Sequence, residues 1–151
     1  MKYFAYGSNM DPNRMKSRGA NFTSREHAVL AGYSLHFNKE AQGFSAKPGE
    51  GKGNIMPQVG QNVEGALYEI AESGISYLDK CEGFPKHYDK ITVTVELDDG
   101  TKVDTITYIA KPDKIKNGLK PTREYLSHYL KGKDILTNDY YHKLESWPTV
   151  D

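Results

Sequence analysis

Internal disulfides are closed to this chain of 151 residues, because Cys81 is its one cysteine. An excess of one charge is missing too. Twenty Lys and Arg stand against 20 Asp and Glu, a formal net charge of zero with histidine neutral, and the basic residues are spread along the chain. That removes the electrostatic reason to expect nucleic acid or an anionic membrane as partner. No apolar run approaches the roughly 20 residues of a membrane span, and Met1-Lys2 leads straight into a strand rather than a signal-peptide core. The five histidines, His27, His36, His87, His128 and His142, lack metal-ligand spacing, so neither metal nor cofactor is expected. The "GEGKG" stretch fails as a phosphate loop, with Ala46 where that motif needs glycine and Gly53 where it needs Ser or Thr. These absences leave a cytoplasmic protein, monomer or homodimer, whose partner is a small molecule.

The length suits one domain spanning residues 1–151. Ile91, Val93, Val95 and Leu97 alternate with polar residues, and Asp99-Gly100 offers the left-handed turn of a hairpin into Val103 to Ala110. Further strands are expected at Lys2 to Tyr6, Tyr33 to Asn38 and Val63 to Ile70. Helices are short. Asp11 caps one that has Pro12 in its first turn and stops at Gly19; Thr122 caps another with Leu126, Tyr129 and Leu130 on one face; a last one runs from Asn138 to about Trp147. Strands outnumber helices without regular alternation, which favours an α+β fold. The glycine-rich residues 39–62 show little periodicity and read as a long loop, either a lid or a solvated connection.

Two stretches carry candidate chemistry. In "YFAYGSNMDPNRM" a strand meets the Gly7-Ser8-Asn9 turn and then at once a helix start, which points unpaired backbone N–H groups at one spot and suits an oxyanion or carboxylate. The alternative is a tight turn at Gly7 with Asn9 left-handed. Ser8 as a nucleophile is weaker, with no Gly-x-Ser-x-Gly elbow around it. In "ISYLDKCEGFPKHY" the stripe of Ile75 and Leu78 continues to Cys81 and Glu82 before Gly83 ends the helix. Glu82 then points inward as a general base, or lies exposed in the last turn; Cys81 reads as a core residue.

Together "YFAYGSN", the glutamate of "LDKCEG", the strand "VEGALYEI", "NIMP" and "PTREYLSHYL" resemble the γ-glutamylcyclotransferases over nearly the whole chain. The Tyr-Gly-Ser-Asn turn is similar to the branch acting on γ-glutamyl amino acids. The resemblance implies a small mixed β-barrel with peripheral short helices. The implied activity closes a γ-glutamyl group to 5-oxoproline and frees the attached amine. It places the substrate loop at Tyr3, Phe4, Ala5, Tyr6, Gly7, Ser8 and Asn9, the catalytic acid/base at Glu82 and a substrate-contacting tyrosine at Tyr125. Two other readings stay open: a biosynthetic cyclotransferase that unmasks a larger metabolite, and a non-catalytic binder of small molecules.

Overall fold

All 151 residues are described in the structure, a computed structural model. Five strands, β1 (Lys2–Ala5), β2 (Phe22–Glu40), β3 (Gly51–Ile70), β4 (Tyr88–Leu97) and β5 (Lys102–Ala110), close into a barrel in the order β1-β3-β2-β4-β5. Neighbours run antiparallel except β1 and β5, whose parallel register is the single pair Tyr3 with Ile106. That short ladder is reinforced from the side: Thr107 Oγ1 donates to the Phe4 carbonyl at 2.8 Å. Phe4, Ile55, Val63, Leu67 and Val95, each fully buried, fill the interior or pack under the helices. No helix is long and apolar enough to cross a membrane.

The four α-helices stop and start where local chemistry dictates. Asp11 accepts from the amides of Asn13 (3.0 Å) and Arg14 (3.4 Å) to begin α1 (Pro12–Ser17). Thr122 does the same for Tyr125 at the start of α3 (Arg123–Leu130), and Thr137 for Tyr140 at α4 (Asn138–Glu145). Helix α2 (Glu72–Glu82) ends because Gly83 turns left-handed, with φ +67°; a side chain there would also meet the His87 ring.

Residues 39–62 correct the expectation of a long loop. Strand β2 continues to Glu40 and β3 begins at Gly51, so the connection is only residues 41–50. The glycines that obscured the strand sit where the sheet is crowded. A Cβ on Gly51 would stand 1.9 Å from the Phe37 carbonyl oxygen, and one on Gly53 would stand 2.0 Å from Tyr129 Oη. Beyond them, residues 57–62 are exposed on both faces, so no alternation of apolar and polar residues was needed there. Asp11 and Pro12 open α1 as expected, but a 3-10 turn, Ser8–Met10, intervenes between β1 and the helix.

Gly65 on β3 lies against β1, where an added Cβ would come 2.4 Å from the Ala5 carbonyl oxygen and 2.9 Å from the Phe4 ring. Backbone gives way poorly, so Gly65→Ala is expected to lower unfolding free energy by about 1–3 kcal/mol. Urea denaturation should show a lower midpoint at unchanged slope; an unchanged midpoint would mean that β1 is free to move off the barrel.

Candidate active site

The 3-10 turn after β1 has a specific consequence for the amides. Asp11 occupies the N-terminus of α1, so the helix end itself offers no free donors. The available ones lie earlier: the Gly7 amide makes no backbone bond, and the Ser8 and Asn9 amides open the turn, where no partner precedes them. Gly7 is not left-handed, with φ −123°, and Asn9 is not either. Glycine at position 7 leaves room for the Tyr129 ring, since a Cβ would stand 3.0 Å from Tyr129 Oη and require it to shift.

At this end of the barrel Tyr3 of β1 and the residues just after that strand, the starts of β3 and β4 and the end of β5 surround a narrow chamber of about 30 Å³. Tyr3, Tyr6, Tyr88, Tyr108, Tyr125 and Tyr129 wall it, with Gly7, Asn9, Gly53 and Glu82. Its hydroxyls are mostly fixed: Tyr6 donates to the Tyr108 carbonyl (2.7 Å), Tyr88 to the Gly53 carbonyl (2.7 Å), and Tyr125 accepts from the Gly53 amide (3.0 Å) while lying 3.4 Å from Tyr129 Oη. Burial, the main cause, and the nearby Glu82 hold the Tyr3 and Tyr6 hydroxyls far above the ordinary phenol range, so both stay neutral.

Glu82 stands where this chamber meets a wider cleft of about 340 Å³. The side chain is 19% exposed, and that opening faces the cleft. Its Oε1 accepts from Asn9 Nδ2 at 3.3 Å and lies 3.5 Å from Arg18 Nη1. Burial raises its pKa above the ordinary glutamate value, although Arg18, Arg14, Lys39 and the Asn9 hydrogen bond all pull the other way. The last turn of α2 is pinned by Asp79, which accepts from Tyr108 Oη (2.7 Å) and Lys90 Nζ (3.0 Å). A carboxylate held this way can take up and return a proton, beside backbone donors suited to an oxyanion.

Tyr3, Tyr6, Gly7, Asn9, Glu82 and Tyr125 thus share the chamber, and Ser8 lines the adjoining cleft. Phe4 and Ala5 do not: both are buried in the core and line neither space. Ser8 Oγ accepts from Arg14 Nε at 3.2 Å, so it faces a guanidinium rather than a base. His128 is near, but Arg14 Nη1 lies 3.4 Å from its Nε2 and Asp11 holds its Nδ1 at 2.9 Å. Cys81, expected in the core, is exposed; the α2 stripe turns past it, and only Glu82 faces in. No group of three or more His, Cys, Asp or Glu side chains is gathered closely enough to hold a metal ion. Arg18, Lys39, Tyr88, Tyr108 and Tyr129 were not singled out from sequence. For Tyr129 a signal existed, one helical turn after Tyr125 on the same face.

Comparison with known proteins supplies the context. The family profile described as "Gamma-glutamyl cyclotransferase, AIG2-like" matches residues 3–130. YkqA of Bacillus subtilis is 30% identical over 148 residues, covering 95% of this chain and 50% of that protein. The gamma-glutamylcyclotransferase of Bos taurus is 31% identical over 107 residues, 70% of this chain and 57% of the bovine one. The chain therefore spans about half the length of these curated relatives. A solved structure named gamma-glutamyl cyclotransferase superposes with a TM-score of 0.86 at 26% identity, over 100% of this chain and 89% of that one. The five-stranded mixed barrel with short helices is thus the fold of that family.

The raised pKa of Glu82 makes a stability prediction. As pH rises past the unfolded glutamate value of about 4.3, the unfolded chain sheds its proton first. Ionisation of Glu82 therefore costs native stability, fully above its folded pKa and not at all below the unfolded one. Glu82→Gln keeps an acceptor for Asn9 and cannot ionise. Its melting temperature should equal or exceed the parent's near pH 7, and the difference should vanish below about pH 4. A variant less stable than the parent at neutral pH would mean that Arg18 outweighs burial.

Proposed function

The chain belongs to the gamma-glutamyl cyclotransferase, AIG2-like family, and from that premise we propose that it converts a small γ-glutamyl substrate to 5-oxoproline and the free amine, with Glu82 as the catalytic acid/base. One observation carries this reading: a single carboxylate of raised pKa at the mouth of a rigid tyrosine chamber, beside the amides of the Gly7–Asn9 turn.

The substrate's own α-amine is the nucleophile. Its ammonium first loses a proton, which Glu82 accepts; the nitrogen then attacks the γ-carbonyl carbon, closing a five-membered ring. The attacking nitrogen gives up a second proton as the ring amide forms. The old bond from the γ-carbonyl to the leaving nitrogen breaks, and that nitrogen gains two protons to depart as an ammonium. Protons and bonds balance without water as a reactant. Glu82 serves as base for the attacking nitrogen and as acid for the departing one, which suits a pKa raised toward neutrality. The tetrahedral intermediate carries an oxyanion, and the amides of the Gly7–Asn9 turn supply the donors. Tyr125 reaches the same space with a hydroxyl that still has a proton to give, because its bond from the Gly53 amide uses only a lone pair.

Mass spectrometry on γ-glutamyl dipeptides tests the reading. The expected product is 5-oxoproline carrying no solvent oxygen after reaction in ¹⁸O-labelled water, with no turnover of a substrate whose α-amine is acetylated. Glu82→Gln should lower kcat by roughly 100- to 10,000-fold, the range of general acid–base catalysis, with the fold intact. Free glutamate bearing one labelled oxygen as the initial product would make water the attacking group and end the cyclotransferase reading.

A further inference from the structure

The cleft outside Glu82 is far more basic than the neutral chain around it. Arg14, Arg18, Lys39, Lys52 and Lys80 line it, and Glu82 is its only carboxylate. Two of these cations have carboxylate partners: Lys52 reaches Glu50 at 3.1 Å, and Arg18 lies beside Glu82 and donates to the Asn9 carboxamide oxygen at 3.1 Å. Arg14, Lys39 and Lys80 form no ion pair.

Lys39 is the telling one. The residue is only 5% exposed, its ammonium makes no hydrogen bond to the protein and lies 5.7 Å from the Tyr88 ring, and Glu82 and Glu40 favour its charge without pairing with it. Burial, with Lys114 and Lys52 nearby, depresses its pKa. The nitrogen opens onto the cleft with no carboxylate bound to it, so an anion entering the cleft meets a positive charge that no salt bridge already occupies. A γ-glutamyl substrate brings one carboxylate on its glutamyl part. A simple amine as leaving group adds none and a neutral amino acid adds one. An acidic amino acid adds two, which gives three carboxylates for three unpaired cations.

We infer that the leaving group is itself a dicarboxylic amino acid, so that the substrate is γ-glutamyl-glutamate, γ-glutamyl-aspartate or the end of a γ-linked acidic chain. The inference rests on the cyclotransferase reading above and narrows it. The reaction is the same: the γ-carbonyl carbon forms its bond to the α-nitrogen, its bond to the acidic residue's nitrogen breaks, and that residue leaves with the transferred protons. A neighbouring space of about 230 Å³ shares Arg14, Lys52 and Tyr125 with this cleft but also contains Glu50, Glu124 and Asp151. Its charges are mixed, so the selection falls on the residue next to the bond that breaks.

Four dipeptides decide the matter: γ-glutamyl-glutamate and γ-glutamyl-aspartate against their neutral isosteres γ-glutamyl-glutamine and γ-glutamyl-asparagine, with kcat/KM read from 5-oxoproline formation. Each acid is expected to exceed its amide by about tenfold or more at low salt, with the ratio shrinking as ionic strength rises. Lys39→Met should bring the ratio down toward one. Lys80→Ala, at an exposed position on α2, should reduce it without risk to the fold. Equal rates for acid and amide with abundant 5-oxoproline would overturn the acidic leaving group and leave the cyclotransferase standing. No 5-oxoproline from any of the four would overturn both.

Discussion

The carboxamide of Asn9 joins the two halves of the site. Its nitrogen donates to Tyr3 Oη (3.0 Å) and to Glu82 (3.3 Å), its oxygen accepts from Arg18 (3.1 Å), and its backbone carbonyl accepts from Tyr68 Oη (2.7 Å). The side chain is only 3% exposed, and each of its polar atoms has a partner. The turn that presents the amides follows β1, and the helix that presents the carboxylate follows β3. Asn9 sets the distance between them. Because β1 and β3 hold Tyr3 and Tyr68, the register of those two strands is transmitted to the carboxylate through one amide group.

Electrostatics at Glu82 is a contest that burial wins. Arg18, Arg14 and Lys39 all favour the ionised form, yet the raised pKa means that lost hydration outweighs them. Arg18 approaches only to 3.5 Å, and the Asn9 carboxamide oxygen shares its Nη1. A close, two-pronged Arg18 pair would have favoured the ionised carboxylate more strongly. The intervening amide keeps the guanidinium near enough to orient the carboxyl and far enough not to fix its charge.

What could be read from the sequence was whatever is encoded locally. Asp11 with Pro12, Thr122 and Gly83 each set a helix end through neighbours within four residues, and each is where it was expected. The β4–β5 hairpin showed itself by alternation, since Val93 and Val95 are buried and their neighbours are not. The stretch from Gly51 to Asn62 did not, because Gly51 and Gly53 answer to crowding by Phe37 and Tyr129, outside the stretch, and its outer half has no apolar face at all. The helix stripe left Glu82 open between an inward position and an exposed last turn, and Arg18 and Lys39 were not legible at all. They reach Glu82 only once the barrel has closed, and nothing near them in the sequence marks it.

The chamber behind Glu82 is better understood as a wall than as a container. About 30 Å³ holds little more than a water molecule, so the room for a larger ligand is at the mouth, along the cleft side of Glu82. The wall is stiff for a definite reason. Tyr6 and Tyr88 spend their protons on the carbonyls of Tyr108 and Gly53, and the Gly53 amide is tied to Tyr125, so three strands and α3 are cross-linked through tyrosine hydroxyls. A chain folding back on itself to form a five-membered ring gains most when it is pressed against a surface that does not yield, because the barrier then falls through lost freedom rather than through new bonds. Crowding six tyrosines where β1, β3, β4, β5 and α3 meet, with glycine at positions 7 and 53 to let the rings approach the backbone, supplies such a surface.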